Sequence, residues 1–172
     1  PSIFATDMGE QISAIAMKQT INCRGKLINF STPQVMGVIN VTPDSFFDGG
    51  KYNTESGIIE RAKMHLDAGA SILDIGAVST RPKAELIPES EERERLIPAV
   101  KLLRSNFPEA SISVDTFRSS IAKAAVEAGA DIINDISGGT MDNKMFSTIA
   151  QLQVPYVLMH IQGTPETMQD NP

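Results

Sequence analysis

The chain has 172 residues, 41% of them hydrophobic and 21% charged, enough to bury one core. Its formal charge of -6, from 15 basic and 21 acidic residues with no basic stripe, disfavours a nucleic-acid partner, because phosphate binding needs a basic face. A single cysteine, Cys23, rules out an intrachain disulfide framework, and with neither a secretory signal pattern nor an apolar run long enough for a membrane, a cytoplasmic domain is the expectation.

Residues 1–16 open on Pro1 and carry no motif, which reads as a tag or an N-terminal extension. From Met17 to Lys26 the sequence reads as a natural beginning with a short leading strand, so residues 17–172 are the expected folded part. The run Val35, Met36, Gly37, Val38, Ile39 between Pro33 and Pro43 predicts a buried strand that delivers Asn40 and the loop NVTPDSFFDGG, Asn40 to Gly50. Burying the Asn40 amide without hydrogen bonds would cost roughly 1 to 3 kcal/mol, so a partner is expected. Thr54 caps a predicted helix to about Ala68, apolar at Ile58, Ile59, Ala62 and Leu66. Ser71, Ile72 and Leu73 then lead to Asp74 as a second strand.

A helix is predicted from Ser90 to about Phe107, followed by the strand Ser111 to Val114 leading to Asp115. Thr116 to Ala128 reads as the next helix, Asp131 to Ile133 as the strand leading to Asn134 and Asp135, and Asp142 to Leu152 as a further helix. Tyr156 to Met159 leads to His160. Ala68-Gly69-Ala70 and Ala128-Gly129-Ala130 repeat one junction, in which a glycine suited to the left-handed position past a helix end is followed at once by a strand. Strands apolar on both faces that alternate with helices argue for a parallel α/β sheet. A barrel and an open doubly wound sheet both satisfy this. Polar residues at strand after strand favour the barrel, which converges its strand ends on one pocket.

These strings also resemble a known family. Asn40 to Gly50, Asp74-Ile75-Gly76 with Ser79-Thr80-Arg81-Pro82, Ser113 to Thr116, Ile133 to Gly139, and Met159-His160 with Gln162 to Pro165 are similar in order and spacing to the dihydropteroate synthases, over about Ile21 to Pro172. The resemblance implies a TIM-type (βα)8 barrel, of which this chain supplies roughly the first five βα units. It implies transfer of a pterin group: para-aminobenzoate displaces pyrophosphate from 6-hydroxymethyl-7,8-dihydropterin pyrophosphate to give 7,8-dihydropteroate. Sulfonamides, which mimic aminobenzoate, are then expected inhibitors, and a homodimer is expected of the full-length protein.

Residue roles follow from the same resemblance. Asp115 matches the family's pterin-binding aspartate, and a carboxylate suits two parallel N–H donors of an aminopyrimidine edge. Asn134 matches the second pterin contact, and Met159 is placed beside the pterin. Without the family, Asp115 reads as a helix N-cap and Asn134 as a turn residue. Asn40 matches the position associated with Mg2+ and pyrophosphate; Mg2+ keeps several waters, so one protein ligand suffices. Arg81 is placed on the leaving pyrophosphate, which its planar fork suits, and Asp48 beside the positive charge developing on the pterin methylene carbon. Thr80 is placed near the substrate, and Phe46 and Pro82 where two loops close over the aminobenzoate ring. His160 reads as pocket wall, and His65, inside a helix, as structural or exposed.

Three departures stand out. Lys83 follows Arg81-Pro82 where the family commonly has glycine, Ala77 and Val78 precede Ser79, and the chain ends at Pro172 with five strand signals against the eight of a barrel of about 250 residues. Unpaired edges on the first and fifth barrel strands are therefore expected. Two other functions fit less of the sequence: a methyltetrahydrofolate-binding domain of a corrinoid methyltransferase, and a half-barrel that binds pterin without catalysis.

Overall fold

Arg24 and Gly25 take positive φ (53° and 91°), and this turn folds the leading segment into an antiparallel hairpin of β1 (Thr20–Cys23) and β2 (Lys26–Asn29). Asn22 Oδ1 accepts the Gly25 N–H at 2.7 Å and closes the turn. A hairpin thus stands where one leading strand was expected. The computed structural model describes residues 19–41, 55–77 and 86–160. Residues 1–16, the expected start at Met17, and Val78 and Lys83 lie outside them.

The alternation then runs β3 (Met36–Asn40), α1 (Glu55–Asp67), β4 (Ile72–Gly76), α2 (Glu89–Asn106), β5 (Ser111–Asp115), α3 (Ser119–Ala128), β6 (Ile132–Asp135), α4 (Met145–Leu152) and β7 (Tyr156–Leu158). β3 to β7 form one parallel sheet in unbroken chain order. A doubly wound sheet reverses its strand order at a switch point. No reversal occurs here, and consecutive parallel pairing is the order of a (βα)8 barrel. β3 and β7 are the sheet's two edges, with Val38 and Leu158 about half exposed.

Strand alternation sorts the side chains onto two faces. Ile39, Leu73, Ile75, Ile112, Val114 and Ile133 face the helices, where Ile58, Ala62, Leu96, Val100, Leu103, Ile121, Ala125 and Ile149 complete one core. Burying each such Leu or Ile side chain contributes about 1.5 to 3 kcal/mol. On the other face a smaller cluster of Cys23, Ile28, Ile72 and Ile132 seats the hairpin at the amino-terminal ends of the strands. Toward the carboxyl ends that face turns polar, with Asp74 and Ser113 both buried. The central strands β4 to β6 are therefore buried on both faces but not apolar on both, while the edge strands β3 and β7 are partly exposed. Asp74 also lies within β4 and not at its end, two residues before Gly76.

Both repeated junctions form as expected: Gly69 (φ 93°) and Gly129 (φ 115°) are left-handed, and Ala130 N–H bonds back to the Ala125 carbonyl at 2.9 Å. α3 starts at Ser119, three residues later than its apolar pattern suggested. Thr116 is diverted: its hydroxyl donates to Glu92 Oε1 at 2.6 Å and accepts the Arg118 N–H at 3.2 Å. Asp142 then caps α3 from a distant loop, accepting Ser119 N–H at 2.7 Å, and α4 starts only at Met145. His65 is half-buried on α1 with Nε2 3.0 Å from the Val38 carbonyl oxygen; a Cβ at Gly37 would sit 2.6 Å from its ring, so only glycine admits it. Among the described residues, no helix is long and apolar enough to cross a membrane.

Candidate functional site

The sheet register sets Asn40 opposite Gly76, Gly76 opposite Asp115, Asp115 opposite Asn134 and Asn134 opposite Val157. One row across five strands therefore carries three of the expected site residues, Asn40, Asp115 and Asn134, on the face away from the helices. Asp74 and Ser113 share that face one pleat lower. Gly76 leaves room in the row: a Cβ there would lie 3.3 Å from Asp115 Cβ and 3.4 Å from its Oδ2.

Asn134 Nδ2 donates to Asp74 Oδ2 at 3.1 Å. Asp74 is 6% exposed, and its Oδ1, like the Ser113 hydroxyl, has no hydrogen-bond partner among the described residues. A buried polar atom without a protein partner costs about 1 to 3 kcal/mol unless water or a ligand satisfies it. Asp115 is half-buried among carboxylates. Burial, then Asp74, Glu92 and Asp135, push its carboxyl from the ordinary 3.8 up to about 7. Such a group gains from any ligand that brings N–H donors or positive charge.

Two buried carboxylates brace this row, and sequence reasoning assigned neither. Glu92, fully buried on α2, accepts from Thr116 and forms an ion pair with Arg118, which also donates to the Ile87 carbonyl at 2.7 Å. That ties the loop after Asp115 to the start of α2. Asp135, also fully buried, accepts from Ser137 N–H and Oγ (both 2.7 Å), Gly139 N–H (3.0 Å) and the Tyr156 hydroxyl (2.6 Å). Burial and this bond to Asp135 raise the Tyr156 phenol well above its usual range, so it serves as a donor. Glu92 gave no signal, since it sits in the mixed-charge run Glu89 to Arg95, which reads as a solvated face. Asp74 shares a face with Gly76, two residues on, and only the sheet register, which sets Gly76 opposite Asp115, brings it into the site.

Met159 follows β7 with its N–H on the Asp135 carbonyl at 3.2 Å, and His160 is exposed. Neither bland reading survives. Asp115 does not cap α3, whose first N–H goes to Asp142, and Asn134 is a strand residue bonded across the sheet. Phe46, Asp48, Thr80, Arg81 and Pro82 lie outside the described residues. Among the described residues, no group of three or more His, Cys, Asp or Glu is placed to hold a metal. Asn40 is exposed at the end of β3 and not buried as expected, so its amide does not require a protein partner; it fits a cation held by one side-chain carbonyl and otherwise by water and ligand oxygens. A cavity of about 680 Å3 lies at the opposite, amino-terminal end, between the hairpin and residues such as Ser71, Asn106 and Glu109, away from these carboxylates.

The family described as pterin binding enzyme matches residues 36–172. The folic acid synthesis protein fol1 of Schizosaccharomyces pombe is 52% identical over 144 residues, covering 84% of this chain and 19% of that protein. The dihydropteroate synthase of Yersinia pestis, solved in complex with a sulfonamide drug, superposes with a TM-score of 0.81 at 40% identity over 89% of this chain and 55% of that one. The Xanthomonas albilineans dihydropteroate synthase, solved with 4-aminobenzoic acid, gives 0.77 at 40% identity over 84% and 52%. The chain thus spans about half the length of these solved synthases and about a fifth of fol1. The resemblance read from the motifs is borne out.

Proposed function

This chain belongs to the pterin binding enzyme family, and from that premise we propose that the whole protein is a dihydropteroate synthase. It joins 6-hydroxymethyl-7,8-dihydropterin pyrophosphate to para-aminobenzoate and releases pyrophosphate. The observation that carries this reading is the row of Asn40, Asp115 and Asn134 at the carboxyl ends of parallel strands of one sheet, backed by a buried Asp74 oxygen without a partner among the described residues. Barrel enzymes place their chemistry at that end. Two solved relatives, one with a sulfonamide and one with 4-aminobenzoic acid, support the choice of second substrate.

In this reading Asp115 accepts two parallel N–H groups of the pterin and Asn134 supplies the adjacent contact. Those bonds favour the ionised carboxylate that burial and its acidic neighbours disfavour in the free protein. The aminobenzoate nitrogen attacks the pterin methylene carbon, the carbon–oxygen bond breaks, and pyrophosphate departs with the electron pair; the proton of the new ammonium goes to solvent. An aromatic amine is neutral and nucleophilic near pH 7, so no strong base is required. Arg81 and Asp48 hold the leaving group and the developing cation, and Phe46, Thr80, Pro82 and Met159 line the substrates, all by the family resemblance. Mg2+, when bound at Asn40, would neutralise charge on pyrophosphate. A homodimeric full-length protein belongs to the same proposal.

Pyrophosphate release by the full-length protein, measured with and without aminobenzoate, tests this function. Release that requires aminobenzoate and is blocked by a sulfonamide is the expected result. Pterin binding without release would refute the synthase reading and favour a methyltetrahydrofolate-binding domain.

A further inference from the structure

An asparagine side chain fits one space in two orientations, offering either its oxygen or its NH2 to a ligand. At Asn134 a neighbour removes that freedom. Asp74 lies on β4 and Asn134 on β6, with β5 between them, so the 3.1 Å bond from Nδ2 to Oδ2 crosses the inner face of β5 between Ser113 and Asp115. Strands two apart are separated by about 9.6 Å, twice the usual spacing, so both side chains lean inward over β5. A carboxylate only accepts, so the NH2 group must face β4 and the Asn134 oxygen is left for whatever occupies the row. Asp74 is 6% exposed, and its second oxygen is buried with no partner among the described residues.

On the premise of the pterin reading above, we propose that Asp74 is a specificity-determining positioning residue: by holding the Asn134 amide nitrogen it makes the pocket wall an array of acceptors that selects a ligand edge rich in N–H donors. Ionised Asp115 and the Asn134 oxygen then present acceptors to the ligand, with the buried Asp74 carboxylate behind them. An aminopyrimidine edge with an amino group beside a ring N–H satisfies that array. The same ring system with the amino group replaced by a carbonyl sets acceptor against acceptor, and a buried mismatch of this kind is what rejects a near-isostere.

The probes are 6-hydroxymethylpterin and its lumazine counterpart, in which a carbonyl replaces the 2-amino group. Their affinities are compared in the full-length protein and in its Asp74→Asn variant. An amide at position 74 can donate as well as accept, so Asn134 is free to turn, and the pterin-to-lumazine preference should fall by about tenfold or more. A folded variant that loses affinity for both probes equally, keeping the ratio, overturns the proposal, because a structural role lowers both alike. Should the variant not fold, the wild-type Asn134 side-chain protons decide: at least one must be protected from exchange and shift together with the Asp74 carboxyl carbon. Free exchange of both sinks the idea. Wild-type protein that binds neither probe refutes the pterin reading itself, an outcome distinct from an unchanged ratio.

Discussion

Asp115→Asn should stabilise the ligand-free protein at pH 8 while damaging pterin binding. In the folded chain the Asp115 carboxyl is raised from 3.8 to about 7. An acid held above its unfolded value contributes its stability below about pH 4, and that contribution is lost as pH rises through about 7. The shift corresponds to at most about 4 kcal/mol, at 1.36 kcal/mol per pH unit. Partial exposure and the hydrogen-bond mismatch of an amide reduce the expected gain to roughly 1 to 3 kcal/mol. Urea unfolding at pH 5 and pH 8 reads this as a difference between wild type and variant that grows with pH. Pterin affinity should move the opposite way, falling by about 1.5 to 3 kcal/mol, roughly ten- to a hundredfold, because a charge-assisted contact is lost. A stability difference that does not change between the two pH values would refute the electrostatic account of the site. A variant less stable at pH 8 with pterin binding intact would make Asp115 a scaffold residue.

Gly76→Ala places a Cβ 3.3 Å from Asp115 Cβ; the carboxylate must give by a few tenths of an ångström, and pterin affinity should fall on the order of tenfold with little change in Tm. Unchanged affinity would mean that the Asp115 position is not critical. Arg104 donates to the Gly129, Pro108 and Ala110 carbonyls and pairs with the buried Asp131 at 2.6 Å. Arg104→Ala leaves that charge with the Ile112 N–H and the distant, exposed Arg24, so urea unfolding should show a loss of about 3 kcal/mol. A loss below about 1 kcal/mol would show that Arg24 replaces it.

Elements set by local chemistry were legible in the sequence. Gly69 and Gly129 marked both helix-to-strand junctions because only the left-handed region satisfies the last carbonyls there. Apolar runs gave five parallel strands to within a residue or two. Asn40, Asp115 and Asn134 were found separately, by motif, and the register then put them in one row. What a local pattern cannot carry was missed. α3 loses its first predicted turn because Thr116 bonds to Glu92, 24 residues earlier in the chain, and its cap comes from Asp142, 23 residues ahead of Ser119. Asp74 was placed at a strand end, although β4 runs on to Gly76, and its bond to Asn134 joins residues 60 apart.

The most direct test of the pterin pocket is carboxyl-carbon NMR of Asp115 in the full-length protein, titrated with and without 6-hydroxymethyl-7,8-dihydropterin. In the free protein the midpoint should lie near 7. Two N–H donors favour the ionised form, so bound pterin should move the midpoint down by about two pH units or more. A midpoint that stays near 7 in the saturated complex would mean that the pterin does not contact Asp115, and the assignment of this row as the pterin site would fall.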